Sequence, residues 1–112
     1  MLIYKVLRQD EWDELATAGV TTGSPADRAD GFVHFSTAAQ LEGTLEGHFA
    51  GETSLWLLAV DAETVGGNLA WEPSRSGALF PHLYRALEHA DLLWARPLVD
   101  GPDGPLAPPD LE

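Results

Sequence analysis

The sequence predicts a single α+β domain. Three observations lead there: short β-rich runs outnumber helical ones, strands and helices do not alternate as regular βαβ units, and 112 residues leave room for one core only. About five or six short, mostly antiparallel strands and two early helices are expected. With 45% hydrophobic residues the chain can fill such a core without staples, and it has no cysteine to staple it with. Disulfides, thiolate metal sites and cysteine nucleophiles are thereby excluded. The balance of 6 Lys+Arg against 18 Asp+Glu gives a net charge of −12, which repels phosphate backbones and leaves too few cations for a basic stripe. Nucleic-acid polymers and anionic membranes are therefore not expected partners. A small anionic ligand held by one or two arginines remains compatible, because local donors outweigh net charge at contact range. No stretch approaches the ~20 apolar residues of a membrane span and the N-terminus lacks a leader-like apolar region, so the chain reads as soluble and cytoplasmic.

The first element, Leu2 to Leu7, is rich in β-branched and aromatic residues and reads as a strand. A helix follows, with Asp10 placed at its N-cap, acidic residues in its first turn, Trp12, Leu15 and Ala16 inward, and Gly19 as its stop. Residues 20–31 combine Gly, Pro, Ser and Asp without apolar periodicity and read as a loop. Phe32 to Ser36 reads as a strand whose alternation puts Phe32, His34 and Ser36 on one face. It runs directly into a helix, since Thr37-Ala38-Ala39-Gln40 fits a capping box and Leu41, Leu45 and Phe49 follow at helical spacing up to Gly51.

Leu55 to Val60 is a continuous apolar run of strand length, the mark of a strand covered on both faces and hence of a central one. Leu69 to Glu72 is a short strand cut off at Pro73, followed by a loop from Ser74 to Gly77. Leu79 to Tyr84 fits a strand edge and the first turn of a helix equally well, since Pro81 suits both. Asp91 to Val99 reads as the last strand. The domain is thus placed at residues 1–99, and the acidic Pro/Gly-rich segment 100–112 is expected to be disordered.

None of the common motif-borne enzyme signatures is present: no GxGxxG, GxxxxGK[ST], HExxH, GxSxG or EF-hand loop. His82 and His89 would share a helix face, but without a third close-spaced ligand they do not make a metal site, and no metal is expected. Two constellations stand out. In the first, His34 and Ser36 share a strand face where Thr37 opens a helix, offering an imidazole, hydroxyls and free backbone N–H groups to one ligand. The plainer alternative is a packing histidine beside residues that merely cap. The second joins Trp71, Glu72 and Arg75 to Phe80, His82, Tyr84 and Arg85: a carboxylate, guanidinium groups, an imidazole and a phenol, with Trp71 and Phe80 available for stacking. Its plainer alternative is a surface loop with an exposed Glu72–Arg75 pair of little consequence.

The order IYK, an acidic tryptophan-bearing helix, DGFVHFSTAAQL, LWLLAVD, WEPS and LFPHLY resembles the bacterial Domain of Unknown Function 952 family over roughly residues 2–98. That family is similar to the ADP-ribosyltransferase-like fold group, in which a nicotinamide nucleotide lies in a cleft between two small facing antiparallel sheets. The resemblance implies that His34 holds the ribose or nicotinamide amide with Ser36 beside it. It further implies that Glu72, ahead of Asp30, is the acidic residue at the ribose, and that His82 and Tyr84 line the pocket. Thr37 and Arg75 complete the expected ligand contacts. The implied chemistry is transfer or hydrolysis of a ribosyl group with NAD as substrate, where a carboxylate stabilises oxocarbenium character as the C–N bond breaks. The alternative is a non-catalytic module that binds a small nucleotide or sugar-nucleotide, or a protein, on the same fold.

Overall fold

Residues 1–74 and 77–112 are described by the structure, a computed structural model. In chain order the elements are β1 (Leu2–Leu7), α1 (Gln9–Ala18), β2 (Val20–Thr21), α2 (Pro25–Asp30), β3 (Val33–His34), α3 (Ala38–His48), β4 (Trp56–Asp61), β5 (Leu69–Pro73), β6 (Leu79–Leu83), β7 (Leu87–Glu88), β8 (Leu92–Pro97), β9 (Val99–Gly101) and β10 (Gly104–Leu106). This is the expected α+β class with antiparallel strands, in one domain.

The unbroken apolar strand β4 is central, as its composition predicts: β1 pairs with it from Leu2↔Asp61 to Leu7↔Trp56, and β8 takes its other edge. A second antiparallel sheet has the order β3-β6-β5, and β2-β7 and β9-β10 form small ribbons. Because side chains alternate along a strand, β1 and β4 feed two separate clusters. Ile3, Leu7, Leu58 and Val60 join Leu15, Val33, Phe35 and Leu83 in one; Tyr4, Val6, Leu57 and Ala59 join Leu41, Leu45 and Phe49 in the other. Residues of both three-stranded sheets thus share the first cluster.

Several elements differ from expectation for identifiable reasons. α1 begins at Gln9, because the Arg8 backbone N–H donates to Glu11 Oε1 at 2.9 Å and makes Arg8, not Asp10, the cap. Glu11 then takes an inward position with Leu15, and Ala16 is exposed. A third helix, α2, and the short strand β2 occupy the segment expected as loop. Ser24 caps α2 and Pro25 opens it, a local device that needs no apolar periodicity. The strand expected over Phe32–Ser36 is shorter, since only Val33 and His34 pair with β6; Ser36 has already crossed over to bridge Tyr4 of β1. The Leu79–Tyr84 segment resolves as a strand. α3 carries the expected capping box of Thr37 and Gln40 but ends at His48, with Phe49 as its cap.

The C-terminal segment is the largest correction. Instead of a disordered tail, β9 and β10 form a hairpin, and Ala107 and Leu111 pack against the second cluster. The glycines that suggested disorder are required by a close approach: a Cβ on Gly104 would stand 2.8 Å from the Gly51 backbone nitrogen, and Gly104 has φ +136°. Gly51 N–H also donates to the Asp103 carbonyl at 3.3 Å.

Two stability measurements follow from this packing. Replacing Thr37 by alanine removes the oxygen that accepts the Gln40 N–H, and the denaturant midpoint should fall by the equivalent of about 0.5–2 kcal/mol. Deleting residues 101–112 strips apolar cover from the second cluster and should cost about 1–3 kcal/mol, read from the same unfolding curves; an unchanged midpoint would show that the hairpin contributes nothing to the core.

Candidate functional site

Lysine on an inward face of an apolar strand has to be explained by what it meets. Lys5 lies between Ile3 and Leu7 in β1 and is only 5% exposed, and its ammonium reaches Asp27 Oδ2 at 2.7 Å. Asp27 is the N3 residue of α2, where the capping box of Ser24 aims its carboxylate back at the chain: Oδ2 also accepts the Ser24 N–H at 2.8 Å. The other oxygen, Oδ1, accepts the backbone N–H of His34 at 3.0 Å and meets His34 Nδ1 at 2.5 Å. Burial disfavours the charged form of Asp27, yet His34, Lys5 and the Ser24 N–H more than offset it and hold the carboxyl well below the usual carboxylate range. Burial in turn pulls the Lys5 ammonium below the ordinary lysine value, against the attraction of Asp27. An ionised carboxylate only accepts hydrogen bonds, so the Oδ1 contact is a hydrogen bond when the proton sits on His34 Nδ1. Its Nε2 lies 3.0 Å from Oδ2 of the exposed Asp30.

Antiparallel register sets His34 directly opposite His82, and the two rings meet edge to face with centroids 5.2 Å apart. His82 is itself bonded through Nδ1 to Glu72 Oε1 at 2.8 Å, and the Tyr84 hydroxyl donates to the same oxygen at 2.7 Å. The Tyr84 and His82 bonds lower the Glu72 pKa, and the bond to Glu72 raises that of the Tyr84 phenol. Phe32 lies over this group, stacked on His82 at 4.1 Å and tilted against His34 at 4.6 Å and Tyr84 at 5.1 Å.

A cleft of about 840 Å³ opens beside these rings, between β1, α2 and α3. His34 and His82 line it together with Lys5, Asp27, Ser36 and Thr44. The cleft begins where the pairing of β1 with the segment after β3 ends: Tyr4 and Ser36 exchange backbone hydrogen bonds of 2.8 and 2.9 Å in an isolated bridge. Ser36 Oγ meets Thr44 Oγ1 of α3 at 2.7 Å. Arg8 and Arg28 also line the cleft, ion-paired with Glu52 and Glu14 respectively.

Of the residues expected at a site, the structure thus brings His34, Glu72, His82 and Tyr84 into one connected group and sets Ser36 on the same cleft. Thr37 is not on the cleft wall, because its hydroxyl is taken up in the α3 cap. Glu72 and Tyr84 do not line the cleft and reach it through His82. Arg75 lies outside the described residues. Of the two expected stacking residues, Phe80 lines the cleft and Trp71 is exposed; Phe32 is the residue that stacks. His89 packs against Trp12, away from His82, and among the described residues no group of three or more His, Asp or Glu is placed to hold a metal. Sequence reasoning missed Asp27 and Lys5. The signals were a Ser-x-x-Asp capping pattern within the presumed loop and a lysine in register with core residues.

The buried pair contributes to the acid stability of the domain. Because the folded Asp27 carboxyl lies below its unfolded value, the stability it contributes is complete above about pH 4 and is lost progressively as pH falls below it. Lys5→Met, which strands the carboxylate without its cation, should cost about 3–5 kcal/mol at neutral pH in denaturant unfolding.

Comparison with known proteins agrees with this architecture. A family model described as a protein of unknown function, DUF952, matches residues 6–95. The crystal structure of protein CC0527 from Caulobacter crescentus is similar at 45% identity, with a TM-score of 0.90 over 95% of this chain and 94% of that one. The crystal structure of a double mutant of CC0527 gives the same values, and its solution NMR structure gives a TM-score of 0.82 at 45% identity over 93% and 90% of the two chains. No curated protein matches the chain. No helix among the described residues is long and apolar enough to cross a membrane.

Proposed function

The chain belongs to the DUF952 family of proteins of unknown function, and from that premise we propose that its cleft binds a nicotinamide nucleotide or a related small nucleotide as an ADP-ribosyltransferase-like enzyme. One observation carries the reading: two histidines from opposed strands, each bonded to a carboxylate, meet under an aromatic ring at the wall of a cleft large enough for a nucleotide. His34 and Ser36 contact the ribose or the nicotinamide amide, and His82, backed by the stacked ring of Phe32, forms the flat wall beside them. Glu72, set by His82 and Tyr84, supplies the negative charge that favours positive character at the ribose carbon as the C–N bond breaks. In hydrolysis, water attacks that carbon, the C–N bonding pair leaves with nicotinamide, and the proton released from water passes to solvent or, once the ligand has displaced Asp30 from it, to His34 Nε2. Arg8 and Arg28 are the cleft cations nearest to hand for phosphate oxygens.

A second reading has its own support. Glu72 is not on the cleft wall and its Oε1 already accepts two bonds, which suits a module that binds a small ligand without breaking it. Incubation with NAD separates the two: the enzyme releases free nicotinamide, whereas the binding module shows only a ligand-dependent rise in melting temperature. His34→Ala and Glu72→Gln should each stay folded, within about 1–2 kcal/mol of the parent, His34→Ala losing that rise and Glu72→Gln losing nicotinamide release. If the parent protein shows neither nicotinamide release nor a shift with NAD, the nucleotide reading is wrong.

A further inference from the structure

Asp27 is buried to 1% exposure, yet its two oxygens are used quite differently. A capping role at N3 of α2 needs one contact, from a carboxylate oxygen to the Ser24 N–H, and Oδ2 makes it. Nothing in that role calls for Oδ1 to take both the backbone and the ring of His34, or for a lysine to be buried in an apolar strand face to balance the charge. The surroundings are fitted to the carboxylate as well. A Cβ on Gly23 would lie 2.0 Å from Asp27 Oδ2, so only glycine lets the chain pass so close, and its φ of +91° suits glycine too.

We propose that Asp27 is a positioning residue of the cleft: by accepting the Nδ1 proton of His34 it fixes the imidazole so that Nε2 is the atom offered to a bound ligand, with Lys5 and Gly23 keeping the carboxylate in place. The inference rests on the reading of the cleft as a nucleotide site, in which His34 touches the ligand. Its physical basis is general: an imidazole whose Nδ1–H is tied to a carboxylate has one tautomer and one ring orientation, and its other nitrogen becomes a defined acceptor or proton carrier. His34 suits this, because its side chain is 36% exposed while its partner carboxylate is 1% exposed. The contact that covers Nε2 comes from Asp30, whose side chain is 52% exposed and can yield to a ligand without opening the core.

The test uses the full chain and NAD as probe. A long-range nitrogen–proton spectrum of the histidine side chains at about pH 8, well above the ordinary histidine range, should show His34 protonated at Nδ1. A bare Nδ1 in the parent protein overturns the proposal by itself. Asp27→Ala combined with Lys5→Met removes the acceptor without stranding the buried ammonium. This variant should keep a dispersed amide spectrum, lose the Nδ1-protonated signature and bind NAD about tenfold more weakly or worse, the loss expected for one charge-assisted hydrogen bond. A folded variant with parental NAD affinity and an unchanged His34 signature shows Asp27 to be a packing residue only. Should the parent fail to bind NAD, the nucleotide reading fails, and the His34 spectrum still decides whether Asp27 sets the ring. Should the variant unfold, the parental spectrum decides in the same way.

Discussion

The carboxylate of Asp27 is surrounded by donors from three elements: the ammonium of Lys5 in β1, the backbone N–H of Ser24 at the start of α2, and the backbone and ring of His34 in β3. A buried charge is costly unless it is paired and hydrogen-bonded, so the position of any one of these elements constrains the other two. α2 has no apolar periodicity of its own and only six residues, too few to persist without outside contacts. Its carboxylate anchor gives it a reason to exist, and its path then delivers Gly31 as a left-handed stop just before β3.

That anchor also explains why a cleft opens where it does. β1 is an edge strand, and on its free side it pairs with Ser36 at Tyr4 only through an isolated bridge. Beyond Tyr4 the next residue is Lys5, whose side chain turns to Asp27. The edge from there to Arg8 is covered by α2 and α3 at a distance, which leaves the space between them as the cleft. The same passage of chain from β3 to Ser36 joins the sheet of β6 and β5 to that of β1 and β4, and its Val33 and Phe35 lie in the apolar cluster that the two sheets share.

Elements whose signal lies in consecutive residues were legible in the sequence. The apolar run of β4 marked it as central, Thr37 and Gln40 announced the α3 cap, and strand alternation and local residue types singled out the polar residues around His34 and Glu72. What escaped depends on partners distant in the chain. The Ser24–Asp27 capping box looked like loop because its stabilising contact, Lys5, is far away in sequence. Leu79 to Tyr84 could be assigned to a strand only once β3 and β5 were known to flank it. The C-terminal glycines and prolines carried the composition of disorder, yet Gly104 is needed because the hairpin passes within contact of Gly51. Periodicity reports which face of an element is buried; it does not report which other element does the burying.

The two histidines also differ in a way that bears on chemistry. At His34 the orienting acid is buried and the ring is partly open, with 1% and 36% side-chain exposure; at His82 the ring is buried and the acid is open, with 8% and 39%. A buried acid with four donors has little freedom left and serves to fix its partner. An open acid that shares one oxygen between a ring and the phenol of Tyr84 keeps its charge within reach of whatever stands beside it. The group therefore presents two dissimilar features around one pair of opposed histidines: an imidazole held against a buried acid and an open carboxylate of lowered pKa. Under the proposed reading these are the features ribosyl chemistry asks for, one to receive a proton and one to face developing positive charge, and keeping them on separate histidine–carboxylate pairs prevents either acid from neutralising the other's task.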